Sequence, residues 1–312
     1  MLGLRKTQFG ATVVLAASLA LTLAACSSSD SASTDASASP VESSAAASTT
    51  LTADPAIQAL LPADIASAGT LSIGTELGYP PMEYTEADGT TLTGFDIDMA
   101  NDIATLMGLT PEIKNATFDS IIPSVQSNRY DLGISSFTIT PEREKQVDFV
   151  SYLTSGDSGV VPAGNPMGIA LDKSICGTKV GVLKGSTQET VTIPQLVKIC
   201  TDAGGPEPVV TVIAASDQMP IALDSGRVDS LISDTANAAS IAQGSGGKFE
   251  LSAGAPLNSV LLGVLMNKKS GLAPAVQAAI QSLIDSGRYQ EIAQKYDLET
   301  STLTTAEINP KS

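Results

Sequence analysis

Two ten-residue strings, far apart in the chain, repeat one local pattern. Ser127-Asn128-Arg129-Tyr130-Asp131 leads into Leu132-Gly133-Ile134-Ser135-Ser136, and Ser225-Gly226-Arg227-Val228-Asp229 leads into Ser230-Leu231-Ile232-Ser233-Asp234. Each reads as a helix end, an Asn or Gly in a left-handed C-cap, a basic residue beside the negative helix terminus, and a buried strand finishing on polar side chains. Generic helix-turn-strand chemistry yields the same string, so the echo draws its force from what surrounds it. If the two halves are equivalent, Ser136 and Asp234 hold matching positions at carboxyl ends of strands, where open α/β sheets bind ligands.

Around each string, short β-rich runs alternate with helical ones. The first set predicts strands at residues 70–75, 112–114 and 132–135, with helices at 96–107 and 120–127. The second predicts strands at 179–183, 209–213 and 230–233, with one helix leading towards Cys200 and another at 218–224. This alternation implies an α/β fold with crossover helices. Asp96 and Asp98 suit a helix N-terminus, Gly108 and Pro111 suit its end, and Met99, Ile103 and Leu106 form its buried stripe.

The N-terminal region sets the location. Arg5 and Lys6, the apolar residues 11–23 and the small Ala24-Ala25 predict a signal peptide at 1–25, with an apolar stretch too short to span a membrane. Leu23-Ala24-Ala25-Cys26 resembles a bacterial lipobox, which implies that the Cys26 thiol is acylated and becomes the new N-terminal residue. Residues 27–52 are almost only Ser, Ala and Thr with a few acids, too little apolar surface to offset the entropy of ordering, and residues 26–58 are read as a lipidated tether.

The rest is long enough for one large or two medium domains, and 43% hydrophobic content supports real cores. The net charge is −16, becoming −18 when Arg5 and Lys6 leave with the signal, and such an acidic chain without basic runs argues against nucleic acid. The chain has no histidine, which excludes His-based zinc sites and Ser-His or Cys-His nucleophiles. Besides Cys26, Cys176 and Cys200 remain, and an even pair in an exported domain points to a disulfide rather than a metal or catalytic pair. No cofactor is expected.

Gly94-Phe95-Asp96-Ile97-Asp98-Met99-Ala100-Asn101-Asp102-Ile103-Ala104 resembles the signature of the bacterial extracellular solute-binding proteins of family 3, the polar amino acid-binding components of ABC importers. Shorter matches stand in the family's order on either side: Gly78-Tyr79-Pro80-Pro81, Phe118-Asp119-Ser120, residues 134–143, Lys184-Gly185-Ser186-Thr187-Gln188 and Ser233-Asp234. The likeness extends over residues 71–297. It implies a two-lobed, periplasmic-binding-protein-like type II α/β fold with two crossover hinge strands. Lobe 1 is expected at 59–160 plus 264–312, lobe 2 at 161–263, and the crossings near 160–163 and 263–265. Gly78 and Met82 depart from the family pattern at the pocket mouth.

A free amino acid carries a carboxylate and an ammonium, so a closed site must supply partners for both or lose more in desolvation than it gains. Arg143 offers a planar fork for the carboxylate, the role the resemblance implies, although alone it reads equally well as a solvated arginine early in a helix. Gly185-Ser186-Thr187 follows a strand and opens a helix, so its N–H groups form a small anion nest for the same carboxylate. The longer Gly-rich pattern of a phosphate loop is absent. The Ser135-Ser136-x-Thr138 run beside Arg143 favours the binding role, and Asp234 is the expected partner of the ammonium, helped by the Ser136 and Thr138 hydroxyls; capping a helix from Thr235 is its alternative role. The resemblance further implies Tyr79 and Phe118 as aromatic walls. Glu76 stands where relatives set an acidic residue against the ligand's distal group, favouring a basic or amide side chain, though an exposed strand-end glutamate fits that position too.

The expected protein is therefore a lipid-anchored receptor on the extracytoplasmic face of the cell membrane. Its expected partners are a free L-amino acid and the permease and ATPase subunits of an ABC importer, and it is not expected to be an enzyme. Two other readings use the same fold: a cyclohexadienyl or arogenate dehydratase with Glu76 as general acid, and a sensing ectodomain working with a separate membrane receptor.

Overall fold

A computed structural model describes residues 51–311, so the signal peptide, Cys26 and most of the tether lie outside the described residues. The described chain begins α1 (Pro55–Gln58), α2 (Ala63–Ala68), β1 (Thr70–Thr75), a small hairpin of β2 (Tyr84–Thr85) and β3 (Leu92–Thr93), α3 (Phe95–Met107) and β4 (Thr110–Asn115). Then come α4 (Phe118–Gln126), β5 (Leu132–Gly133), α5 (Pro141–Glu144) and the long strand β6 (Asp148–Pro162). The second half holds β7 (Lys179–Leu183), α6 (Ile193–Asp202), β8 (Val209–Ile213), α7 (Met219–Asp224), β9 (Ser230–Asp234), α8 (Thr235–Gly244) and β10 (Phe249–Leu251). A second long strand, β11 (Leu257–Met266), precedes α9 (Ala273–Asp285) and α10 (Arg288–Lys295).

The main sheet runs β4-β1-β5-β11-β6-β9-β7-β8, with β10 also on β6. Its two wings are parallel, β1 flanked by β4 and β5, and β7 flanked by β8 and β9. Between them β6 and β11 run antiparallel to each other, which gives two α/β lobes joined by a pair of crossing strands. Parallel wings need helical crossovers and burial on both faces, and the apolar strands Val180-Gly181-Val182 and Leu71-Ser72-Ile73 meet that need.

The register locates the crossing. β11 meets β5 at Leu265 and Met266, whereas β6 meets β9 from Asp157 to Val160. Between these points, at about residues 151–156 and 258–263, the two long strands pair with each other, and lobe 1 still reaches them at Ser151, through the Glu307 carbonyl, and at 261–263, through residues 137–139. The crossing expected at 160–163 lies instead inside lobe 2, where Val160 and Val161 sit in the ladder with β10. Both valines are fully buried, so an apolar run that suits a connecting strand equally suits a core strand. The tether reading through residue 58 also overshoots. Asp54 caps α1 by accepting the Ala56 N–H at 2.7 Å, its own N–H reaches the Leu106 carbonyl, and Ile57 is buried.

α3 positions much of the cleft between the lobes. Gly94 enters it at φ 124°, and a Cβ there would lie 2.1 Å from the Met82 carbonyl oxygen, so a side chain would force the helix off the preceding loop. Gly108 closes the helix in the left-handed conformation, its N–H on the Ala104 and Thr105 carbonyls. Asp98 behaves as the sequence suggests, exposed enough to meet Lys295 at 2.7 Å. Asp96 stands in the same first turn, as expected, with its side chain fully buried and turned into the protein.

The repeated strings are structurally equivalent. Asn128 and Gly226 both take left-handed φ values, 58° and 69°. Asp131 accepts the Ser72 N–H at 2.8 Å and Asp229 accepts the Lys179 N–H at 2.8 Å, so each aspartate fastens the start of the neighbouring parallel strand.

The cores follow the lobes, with a bridge. One apolar cluster joins β1, α3, α9 and α10, and another lies under β7 and α6 in lobe 2. A third unites Phe118, Ile121, Phe137 and Phe149 with Leu183, Ile213, Met219 and Leu231 across the lobes. Cys176 and Cys200 form a disulfide that ties the loop before β7 to the end of α6, with 24 residues of separation. Replacing both cysteines with serine is expected to lower stability by about 3 kcal/mol through loss of the loop constraint, read by urea unfolding. A midpoint and slope equal to those of the parent would show that the link contributes nothing.

Candidate functional site

The carboxyl ends of β1, β5, β7 and β9 meet at a tight cleft with a free volume of roughly 20 Å³. All ten residues singled out from the sequence line it: Glu76, Tyr79, Phe118, Ser135, Ser136, Thr138, Arg143, Ser186, Thr187 and Asp234. The lobes are closed upon one another. Glu76 accepts the Ser216 N–H at 3.0 Å, Asn237 donates to the Pro80 carbonyl at 2.8 Å, and the Thr138 and Thr187 hydroxyls lie 3.1 Å apart.

Arg143 comes from the single-turn helix α5, which starts at Pro141 and is capped by the Thr140 hydroxyl accepting the Arg143 N–H. It is buried, not solvated. Nη1 donates to the Thr138 carbonyl at 2.8 Å and Nη2 to the Gly185 carbonyl at 3.0 Å, so one lobe's arginine is held by both. Phe118 and Phe137 stack at 4.4 Å and lie 5.5 and 5.4 Å from the guanidinium carbon, a cation–π contact that stiffens it. Burial lowers its pKa to about 10, against the pull of Asp234, and it remains charged at neutral pH. Phe118 is thus a wall of the cleft and also a support of Arg143.

The Gly185-Ser186-Thr187 nest is partly spoken for. The Gly185 N–H donates to the Glu189 carboxylate at 2.6 Å and the Ser186 N–H to the Leu183 carbonyl at 3.2 Å. Among the described residues the Thr187 N–H has no such partner, so the nest offers an incoming carboxylate fewer donors than its sequence suggests. Gly185 has φ 77°, and a Cβ there would meet the Asp119 Cβ at 2.9 Å, which makes glycine the condition for the two lobes to close at this point.

Asp234 stands at the end of β9 and precedes α8, but its side chain makes no capping bond to that helix. Its oxygens face the cleft instead, accepting Tyr79 Oη–H at 2.9 Å and Gln188 Nε2–H at 3.0 Å. Gln188 donates again to Asp157 at 2.7 Å, on β6, where Thr192 and Asn258 complete the carboxylate's shell. Burial, then the Asp157 charge, push Asp234 up to about 7; the bonds from Tyr79 and Gln188 and the Arg143 charge oppose them. Tyr79 is accordingly more than an aromatic wall, since its hydroxyl reaches across the lobes to hold the acid.

Glu76 is buried rather than an exposed strand end. Burial pushes it up to about 7, the Ser216 hydrogen bonds oppose this, and Asp217 and Asp119 reinforce it. The Ser135 hydroxyl is engaged twice, accepting the Glu76 N–H at 3.1 Å and donating to Glu83 at 2.6 Å. Ser136 leaves the strand at φ 48°, its N–H donating to Asp96 at 2.8 Å while its buried hydroxyl has no protein partner. β5 therefore ends at Gly133, short of the predicted residue 135, because the chain must turn to present these two serines.

Glu83, Gln188 and Ser233 also line the cleft, beyond the residues expected from the sequence. Gln188 and Ser233 stand inside motifs that the family resemblance covers, next to Thr187 and Asp234. Glu83 carries no signal beyond its place after the Tyr79-Pro80-Pro81-Met82 segment.

The comparisons with known proteins agree on one family. Residues 71–299 match the model for bacterial extracellular solute-binding proteins, family 3. The chain is 33% identical over 257 residues to an arginine-binding protein of Corynebacterium glutamicum, covering 82% of this chain and 83% of that one. It is 30% identical over 235 residues to the lysine/arginine/ornithine-binding periplasmic protein of Escherichia coli, covering 73% and 87%. Among solved structures, an ancestral arginine-binding protein bound to arginine aligns with a TM-score of 0.65 and 34% identity, covering 73% of this chain and 98% of its own. These relatives are binding proteins, not enzymes.

The raised Glu76 carboxyl has a measurable cost. Such a group adds its full stability below its ordinary value of 4.5 and loses it as pH rises through the folded value near 7. Glu76→Gln keeps an acceptor for the Ser216 N–H without the buried charge. Thermal unfolding of the ligand-free protein at about pH 8 is expected to show the variant more stable by about 2 kcal/mol, with a flatter decline between pH 4.5 and 7. A less stable variant would assign Glu76 a stabilising charge.

Proposed function

The chain belongs to family 3 of the bacterial extracellular solute-binding proteins, and from that premise we propose that it is the lipid-anchored substrate-binding component of an ABC importer, delivering a basic or amide-bearing L-amino acid to the permease. One observation carries the choice of ligand. The cleft buries Glu76 and Asp234 against Arg143, the one cation among its described lining residues. Carboxyls pushed upward by burial without a protein counter-ion favour an incoming cation, and an amino acid with a positive side chain brings two positive groups for its one carboxylate. The C. glutamicum relative is named for arginine and the E. coli relative for lysine, arginine and ornithine, which supports the same choice.

In this reading Arg143, with the Thr187 N–H and the Ser186 and Thr138 hydroxyls, takes the ligand carboxylate. Asp234 takes the ammonium, joined by the free Ser136 hydroxyl. Tyr79 and Phe118 flank the side chain, and Glu76 meets its distal group. Lobe 1 comprises residues 54–151 and 261–311 and lobe 2 residues 157–257, joined by the stretches of β6 and β11 between them. Ligand contacts from both lobes supply the differential affinity that closure requires, and bending of the two strands between them opens the cleft for release. The raised Glu76 carboxyl would also suit a general acid, but the relatives are binding proteins.

Acylated Cys26 and the Ser/Ala/Thr-rich tether keep the binder at the extracytoplasmic face, near the permease. No helix of the described residues is long and apolar enough to cross a membrane.

Isothermal calorimetry against the twenty amino acids and ornithine tests the reading. Arginine, lysine, ornithine, histidine or glutamine is expected to bind tightest, and preference for glutamate or aspartate would overturn it. Arg143→Ala and Asp234→Ala are each expected to weaken binding by about 30-fold or more, since each leaves a buried charge unpaired. Unchanged affinity in both would remove the site. Because Asp234 stands near 7 without ligand and must be ionised to hold an ammonium, affinity is expected to fall as pH drops below 7. Binding at about pH 6 should release protons, read from the buffer dependence of the heat; proton uptake would contradict the assignment.

A further inference from the structure

Beneath the serine pair lies a second acidic pair that the ligand contacts do not use. Glu83, in the loop before β2, and Asp96, in the first turn of α3, are buried to 1% and 0% exposure. Glu83 Oε1 accepts the Ser135 hydroxyl at 2.6 Å. Asp96 Oδ2 accepts the Ser136 N–H at 2.8 Å and the Tyr152 hydroxyl at 3.0 Å. The other oxygen of each, Glu83 Oε2 and Asp96 Oδ1, is buried without a donor, and the Asp96 N–H, donating to the carbonyl of Met82 at 2.8 Å, sets the two side chains side by side on the adjacent Ser136 and Ser135. Two buried carboxylates side by side carry both a like-charge repulsion and two unsatisfied acceptors. A single proton between the orphan oxygens removes both penalties at once.

We propose that Glu83 and Asp96 share one proton, and that this carboxyl–carboxylate pair positions the Ser135-Ser136 turn for the ligand. Glu83 is the protonated member: burial, then the Asp96 charge, drive it well above the carboxylate range. Asp96, raised to about 6 by burial but receiving the Ser136 and Tyr152 donors, keeps the charge. The surrounding groups offer no competing cation. Glu76 faces the pair from the end of β1, Tyr152 from β6, with Asp234 acting on Tyr152 from β9.

The geometry gives the pair two tasks. The ionised Asp96 holds the Ser136 N–H, and so holds a non-glycine residue at φ 48° with its free hydroxyl in the cleft. Glu83 receives the Ser135 hydroxyl, whose lone pair in turn anchors the Glu76 N–H. Loss of the shared proton to solvent at alkaline pH sets two charges against each other and loosens both attachments. These are positioning roles, and their effect on affinity rests on the amino acid-binding reading above.

Glu83→Gln tests the pair, because the amide accepts from Ser135 and donates to Asp96 without a titrating proton. Three readouts are taken: calorimetric affinity for L-arginine, thermal midpoint from about pH 6 to pH 10, and the infrared band of protonated carboxyl at about pH 9. The parent should lose affinity and midpoint at the alkaline end and show the band. Glu83→Gln should bind within about threefold of the parent at pH 7, lose the band, and lack the alkaline decline. Adding Asp96→Asn sets two amide N–H groups facing each other and should cost a further tenfold, about 1.4 kcal/mol. An unchanged band and alkaline limb in Glu83→Gln, or a loss of affinity equal to that of Glu83→Ala, would overturn the proposal. If the parent binds no amino acid, the ligand reading fails, while the midpoint and the infrared band still decide the pair.

Discussion

A carboxylate removed from water needs donors, and the way this chain supplies them determines how its halves fit. Asp234 takes its hydrogen bonds from Tyr79 in the other lobe and from Gln188. Glu76 takes one from the Ser216 backbone, again across the cleft. Arg143 spends two of its own donors on carbonyls of both lobes. The closed arrangement is therefore held by polar groups that exchange water for one another in the same movement. A ligand with a carboxylate and cationic groups adds partners where the protein has left acceptors unpaired.

The aromatic residues serve this electrostatic plan. Phe118 and Phe137 give Arg143 a flat bed, which fixes the plane of the guanidinium while leaving its remaining N–H groups towards the cleft. Arg143→Lys would keep the charge and lose both the stacking and the fork. The cleft thus presents a charged group whose orientation is set beforehand by packing.

Much of this was legible in the sequence, and the misses share a cause. The repeated strings announced two equivalent halves because a left-handed cap and a strand-fastening aspartate are local devices, complete within one short segment. The ten expected residues that line the cleft were readable through the family resemblance. Glu83 was not, because a carboxyl whose partners are another carboxyl and the distant Ser135 hydroxyl has no local signature. Asp96 was legible only in part: its place at a helix start is local, whereas the Ser136 N–H and the Tyr152 hydroxyl that claim its carboxylate are distant in sequence. The crossing strands were displaced because hydrophobicity reports burial and not pairing partner.

The order of the strands carries a consequence for how the protein comes into being. Lobe 2 is drawn from one uninterrupted stretch and carries its own cross-link, so its contacts are all available once that stretch has been made. Lobe 1 is different: α3 packs on α9 and α10, and β5 pairs with β11, all from the far end of the chain. As the chain is delivered N-terminus first, the earlier lobe must wait with its apolar faces uncovered until the last segments arrive, while the inserted lobe is already complete. The first half to be synthesised is the last to be finished, and a truncation near the C-terminus would strike the N-terminal half of the protein.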